Sequence, residues 1–225
     1  MPTSSNTTHF SAWRNRLYKY GLLQKPGIKH EFQHSIDLAL LIGITLGDGH
    51  IEKHPRTERL CITLGTDKPE LYEFTANLVH RVFDKVPYVW KSNNCEAIKI
   101  SVYQKYISER LEIPTGRRRD VKSGIPDWIW SKDCYLLACI RGLFESDGCL
   151  CIHLPTCTYN FSFDNRNLYL LSDVYQALVY FGMHPEYRPG VAVRLRKRDE
   201  VKYMTSLLSF RKYDAGWSNG SLVAL

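Results

Sequence analysis

An apolar helical stretch ending in a small residue, an aspartate and a glycine occurs twice in this chain. That repetition limits the possible folds more than any other feature of the sequence. The first copy reads Leu40-Leu41-Ile42-Gly43-Ile44-Thr45-Leu46-Gly47-Asp48-Gly49 and the second Cys139-Ile140-Arg141-Gly142-Leu143-Phe144-Glu145-Ser146-Asp147-Gly148. Their aspartates are 99 residues apart (147 − 48). The same order of signals follows each. Glycine stops the helix, and a short alternating segment comes next, His50 to His54 or Cys149 to Leu154. After a turn-rich break, a second strand reads Leu60 to Leu64 or Phe161 to Asp164. A helical pattern then runs from Pro69 to Phe83 or Leu168 to Phe181. Two more short strands end in Ile98-Lys99-Ile100 and Val193-Arg194-Leu195. Tyr103 to Leu111 and Asp199 to Phe210 close the copies as helices. Each half is therefore predicted as αββαββα, an α+β arrangement with pseudo-symmetric halves at 33–111 and 132–213. The segment 112–131, with two glycines, two prolines and Arg117-Arg118-Arg119, reads as a linker. Residues 1–32 form an N-terminal extension with a helix around Trp13 to Tyr20; residues 1–9 and the 214–225 tail read as disordered.

Gly43 and Gly47 share a helix face, and Gly142 and Ser146 repeat that spacing. Small residues four apart let two helix backbones approach closely. Packing along these faces would bring Asp48 beside Asp147. Carboxylates at helix C-termini meet the negative end of the macrodipole, a cost of roughly 0.3–1 kcal/mol each, and they repel one another. A divalent cation between them reverses the sign. Oxygen donors favour Mg²⁺, completed by waters and substrate phosphates, which is the arrangement metal-assisted phosphodiester hydrolysis needs.

The nonapeptides Leu41-Ile-Gly-Ile-Thr-Leu-Gly-Asp-Gly49 and Ile140-Arg-Gly-Leu-Phe-Glu-Ser-Asp-Gly148 resemble the paired motifs of the single-chain LAGLIDADG homing endonucleases. The resemblance covers about residues 33 to 212, and the connecting Ile113-Pro-Thr-Gly116 and Ile125-Pro-Asp-Trp128 look like their linker. It implies motif helices at a central interface and antiparallel sheets forming a DNA-binding saddle. It also implies that Asp48 and Asp147 are metal-binding acids, with the carbonyls of Gly47 and Ser146 as added ligands. The expected cofactor is Mg²⁺, with Mn²⁺ or Ca²⁺ able to substitute in binding. The implied substrate is a long, imperfectly palindromic double-stranded DNA, cut on both strands to leave short 3′ overhangs. Two positions depart from the family pattern. Leu46 stands where copy two has Glu145, and Arg141 occupies an often small position, which suits an outward-facing side chain.

Alternation along the predicted strands sends Leu60, Ile62 and Leu64 inward and leaves Arg59, Cys61 and Thr63 outward. Phe161 and Phe163 point in, with Asn160, Ser162 and Asp164 out; Ile98 and Ile100 point in, with Lys99 and Ser101 out. Val191, Val193 and Leu195 point in, with Ala192, Arg194 and Arg196 out. Such outward groups suit either solvent or base edges in the major groove. Further candidate DNA contacts are Glu52, His54, Lys91, Asn93, Cys151, His153 and Arg188, with Arg117, Arg118 and Arg119 as loop cations facing solvent or phosphate. Lys99 and Arg194 fall 51 and 47 residues after their aspartates (99 − 48; 194 − 147), which reads as matching places in the two copies. Each is a candidate to stabilise charge at the scissile phosphate or orient the attacking water, or to make a plain phosphate contact.

A net charge of +7 and a pI near 9.0 favour a polyanionic partner, and without a basic amphipathic helix nucleic acid comes before membrane. No apolar run reaches 18 residues, so no span is expected. With no signal-peptide core at the start, an intracellular protein is expected, in bacterial or archaeal cytoplasm or in an organelle. The seven scattered cysteines then read as reduced thiols. The histidines lack a paired nucleophile, so a hydrolase triad has no support. An intein finds no terminal nucleophile or His-Asn end. The protein is expected to act as a monomer without an obligate protein partner. The alternatives to cleavage are an intron RNA maturase and a non-cleaving DNA binder; retention of both acids favours cleavage.

Overall fold

The computed structural model describes residues 33–91, 96–117 and 122–213, together with Trp13, Arg16, Leu17, Tyr20 and Leu22. Residues 1–33 are one unit, in which Trp13, Arg16 and Leu17 are helical, within the helix expected there. The predicted tails, Asn93, Arg118 and Arg119 lie outside the described residues. Residues 34–225 form the second, compact unit.

That unit opens with α1 (Ile36–Asp48), started by Ser35, whose side chain accepts from the Leu38 N–H. Every residue from Leu38 to Gly47 is buried, as expected of a helix apolar on all sides. Strand β1 (Gly49–Lys53), β2 (Glu58–Gly65), α2 (Pro69–Phe83), β3 (Tyr88–Lys91), β4 (Ala97–Gln104) and α3 (Ile107–Leu111) complete the first half. The second half repeats the order: α4 (Asp133–Asp147), β5 (Gly148–His153), β6 (Thr158–Asp164), α5 (Leu168–Tyr180), β7 (Glu186–Arg188), β8 (Ala192–Leu195) and α6 (Arg198–Leu207). Each half carries a four-stranded antiparallel sheet, ordered β1-β2-β4-β3 and β5-β6-β8-β7. The αββαββα repeat and its pseudo-symmetry are therefore present.

The motif helices α1 and α4 make the most extensive contact between any two elements. A Cβ added at Gly43 would lie 2.1 Å from the Cys139 carbonyl oxygen and 3.0 Å from the Gly142 Cα. One added at Gly142 would lie 2.4 Å from the Leu40 carbonyl oxygen. The helices thus touch backbone to backbone, and only glycine fits at the crossing. Apolar faces of both sheets join this core through Leu60, Ile62, Ile100 and Val102 on one side, and Phe161, Phe163, Val193 and Leu195 on the other. Phe144 of α4 stacks on Phe161 at 4.3 Å between centroids.

Local departures from the expected elements have identifiable causes. Gly49 and Gly148 end their helices in extended backbone (φ −105° and −84°), not in the left-handed region a C-terminal glycine signal suggests. Glycine is required there by space: a Cβ at Gly148 would lie 2.2 Å from the Phe144 carbonyl oxygen. Tyr103 belongs to β4 rather than to the closing helix, because it continues the ladder opposite Arg59. Tyr106, at φ 61°, then precedes the short α3. The segment between the halves is partly core. Ile113, Ile125 and Ile129 are buried, and the Gly116 N–H donates to the Ile51 carbonyl (2.8 Å). Asp173 of α5 accepts from the Ile125 N–H at 2.7 Å.

Arg141 faces inward, contrary to the sequence expectation, and is fully buried with Glu145 one turn on. Arg141 Nε lies 3.8 Å from Glu145 Oε1. The Arg141 guanidinium donates to the Lys212 carbonyl (2.6 Å) and lies 5.3 Å from the Phe74 ring centroid. Glu145 accepts from the Arg211 N–H (2.7 Å) and from the Tyr213 hydroxyl. Burial pushes the Glu145 carboxyl above its ordinary value, against these bonds and the neighbouring arginine charges. The charge is tolerated because a strap of Arg211, Lys212 and Tyr213 lies against α4 and supplies its partners. Removing one partner of a buried pair costs about 3–5 kcal/mol. Glu145→Ala is expected to lower stability by about 3 kcal/mol, or Tm by roughly 6–12 °C; an unchanged melting curve would contradict the strap's role.

Candidate metal and DNA-binding site

The crossing at Gly43 and Gly142 carries the two helices on to adjacent C-termini. A Cβ built at Gly47 would lie 2.4 Å from the Ser146 Cβ and 3.8 Å from the Asp147 Oδ2. The Asp147 carboxylate therefore sits against the residue that precedes Asp48. Both aspartates are half-buried last residues of their helices. The Ser146 hydroxyl donates to the Gly142 carbonyl (2.9 Å) and reaches the Ile44 carbonyl across the interface at 3.5 Å. Asn165, just after β6, donates from Nδ2 to Asp147 Oδ2 (2.9 Å) and accepts from the Asn167 N–H at 2.9 Å. Sequence reading missed Asn165. The only signal was the Asn165-Arg166-Asn167 run, which looks like an ordinary helix start, and Asn167 does cap α5.

These oxygens suit a hard divalent cation: two carboxylates lie where two helix dipoles present their negative ends. Among the described residues no cluster of three or more His, Cys, Asp or Glu side chains could hold a metal. A metal held here would need carbonyls, waters or substrate oxygens beside the two carboxylates. That fits Mg²⁺, which usually keeps several waters and seldom occupies an all-protein cage.

Strand register separates Lys99 from Arg194. Gly49 pairs with Ile62 and Ile62 with Ile100, as Gly148 pairs with Phe163 and Phe163 with Val193. Lys99 pairs with Thr63, one rung beyond this level on the Asp48 side. Arg194 instead pairs with Ser162, one rung on the other side, and its register counterpart is Ser101. Ala192, buried though expected outward, stands where Lys99 stands in the first half. The two basic residues are thus offset by two positions along the strand, about 6–7 Å. Counting from the aspartates hid this because the halves differ in loop length. Arg194 lies 3.9 Å from Asp164.

Other outward positions divide by exposure. Lys91, His54, Cys151, His153, Asp164, Arg188, Arg196 and Arg117 are exposed; Glu52, Arg59, Thr63 and Asn160 are half-buried. Cys61, Ser101 and Ser162 are buried at 2–3% exposure, covered by larger neighbours on the same face, which corrects the expectation that they stand free. Val191 lies in a turn, 48% exposed, rather than in the core, because β8 begins only at Ala192. Glu52 is the hub of the first sheet's polar face. It lies 3.0 Å from His50, 3.3 Å from Arg59 and 3.6 Å from His54. In register the same places in the second half hold Cys149, Cys151 and His153, so the two polar faces differ chemically.

Sequence comparisons with known family profiles and with curated proteins find no match. Solved structures do match in fold. The homing endonuclease I-DmoI in complex with DNA and Mn aligns with a TM-score of 0.52 and 19% identity, over 77% of this chain and 97% of that one. I-WcaI, a homing endonuclease bound to its DNA recognition sequence, gives 0.53 and 15%, over 87% and 92%. The N-terminal LAGLIDADG domain of DUF199/WhiA gives 0.50 and 16%, over 82% and 86%. The fold is that of the LAGLIDADG proteins. Within that fold, this chain carries two motif helices on one polypeptide, each ending in aspartate. No helix among the described residues is long and apolar enough to cross a membrane.

Proposed function

We propose that this protein is a divalent-metal-dependent endonuclease that hydrolyses both strands of a long, pseudo-palindromic double-stranded DNA and leaves short 3′ overhangs. The observation that carries the reading is the Asp147 carboxylate lying 3.8 Å from a Cβ position on Gly47, at the paired acidic ends of two helices. A fold needing only stability has no use for that placement. Asp48 and Asp147 would hold Mg²⁺, aided by the Gly47 and Ser146 carbonyls. When bound, the metal supplies Lewis acidity toward the phosphodiester and a more acidic water. Asn165 fixes the Asp147 carboxylate in one orientation. Lys99, one rung from the β1 start, offers a cation for developing charge on the phosphate. The polar faces of the two sheets would contact DNA, and their unlike residues favour unlike half-sites. Action as a monomer, in an intracellular setting, belongs to the same proposal.

A non-cleaving DNA binder is the second reading, left open by the likeness to the LAGLIDADG domain of DUF199/WhiA. Incubation with a randomised DNA library separates the two. A nuclease yields cut products in Mg²⁺ and none in EDTA, whereas a binder retains DNA uncut in both. Raising salt from 50 to 200 mM is expected to weaken DNA binding roughly a thousandfold, as six or more phosphate contacts would require. A flat salt response would exclude a phosphate-rich footprint.

A further inference from the structure

We propose that Arg59 reads a single guanine in the half of the target that lies against the first sheet, with Glu52 orienting its guanidinium. This rests on the nuclease reading above and names one feature of its substrate.

Arg59 is held before any DNA arrives. Its guanidinium carbon lies 5.1 Å from the Trp90 ring centroid and 5.6 Å from that of Tyr103. A terminal nitrogen sits 3.3 Å from Glu52, opposite it in the strand register, and a fifth of the side chain remains exposed. Arg196, by contrast, is 61% exposed, and its ion-pair partner Glu186 (2.9 Å) is itself exposed. A phosphate contact needs only a mobile cation. Reading a base needs two donors at fixed spacing, and an immobilised planar fork supplies them with little further loss of rotamer freedom. Guanine alone presents two acceptors, O6 and N7, on one major-groove edge.

The position of Glu52 supports the same assignment. Partial burial pushes its carboxyl up, but the hydrogen bond with His50 and the Arg59 charge outweigh that and hold it below the ordinary value. A persistent anion is unfavourable beside phosphates. It is acceptable beneath base edges, where it aligns an arginine and can accept from a neighbouring cytosine amino group. In register the second half places Asn160 and Cys151 where the first has Arg59 and Glu52. The guanine should therefore have no symmetric mate in the other half-site.

The test is selection of bound duplexes from a randomised library in Ca²⁺, using the full chain and the variants Arg59→Ala, Arg59→Lys and Glu52→Gln. The wild type should fix one unpaired-by-symmetry guanine. Arg59→Ala should lose that preference by roughly tenfold or more, with other positions unchanged. Arg59→Lys, which keeps the charge and most of the packing stem, should lose it too, and decides the matter if the alanine variant does not fold. Glu52→Gln should relax the same position more weakly. Uniform weakening across all sequences, with a salt slope lower by about 1, would make Arg59 a phosphate contact and overturn the proposal. An unchanged selected motif would overturn it as well. Failure of the underlying DNA reading looks different: the wild type would then enrich no motif.

Discussion

Asp147→Asn is expected to lower DNA cleavage on the order of a thousandfold while leaving specific binding within a fewfold of the wild type. Lewis-acid stabilisation of a transferring phosphoryl group is worth several kcal/mol, and about 4 kcal/mol corresponds to three decades of rate. The substitution is nearly isosteric. The new amide oxygen can still accept from Asn165 Nδ2, so the turn after β6 should keep its position. One of two like charges at adjoining helix ends disappears, so stability should hold or rise by roughly 0.3–1 kcal/mol. Binding measured by fluorescence anisotropy in Ca²⁺, beside single-turnover cleavage in Mg²⁺, separates these terms. Unchanged turnover would remove Asp147 from the site. Loss of binding together with cleavage would make it structural instead.

Gly43→Val is expected to prevent stable folding, costing more than about 4 kcal/mol, at the severe end of single substitutions. A Cβ there would sit 2.1 Å from a backbone oxygen of α4. No rotamer relieves that contact, because the atom belongs to every side chain except glycine. The helices would have to part by about 1 Å to reach ordinary contact, opening the core along its longest seam. Gly43→Ala imposes the same separation with less bulk and should yield a folded but weakened protein. Its activity should fall further than its stability, since a 1 Å displacement of catalytic groups costs roughly a hundredfold. Thermal unfolding beside cleavage assays checks both. A Gly43→Ala protein with wild-type Tm and turnover would refute the close crossing.

The two motif helices, the αββαββα order along the chain and α2 at Pro69–Phe83 were legible in the sequence. So was the prospect of the two acids meeting, because glycine spacing fixes which helix faces can touch. Periodicity and glycine placement are local properties, and these elements depend on little else. Other features escaped. Arg141 reads from the sequence as tolerable if outward-facing, because nothing nearby in sequence reveals that Lys212, 71 positions away (212 − 141), accepts from it, or that Tyr213 donates to Glu145 beside it. Asn165 carried no reading of its own, and its bond to Asp147 exists only because β5 and β6 pair across a hairpin.

The repeat, the paired aspartates and the basic charge were therefore written in the sequence alone. Tertiary structure decided which polar groups are covered, that Lys99 and Arg194 are offset by two positions, and that Arg59 lies clamped between Glu52 and two aromatic rings. The reason is that register and burial are set by pairings between distant segments. A difference of a few residues in loop length leaves each strand's own pattern intact while sliding its side chains against their neighbours.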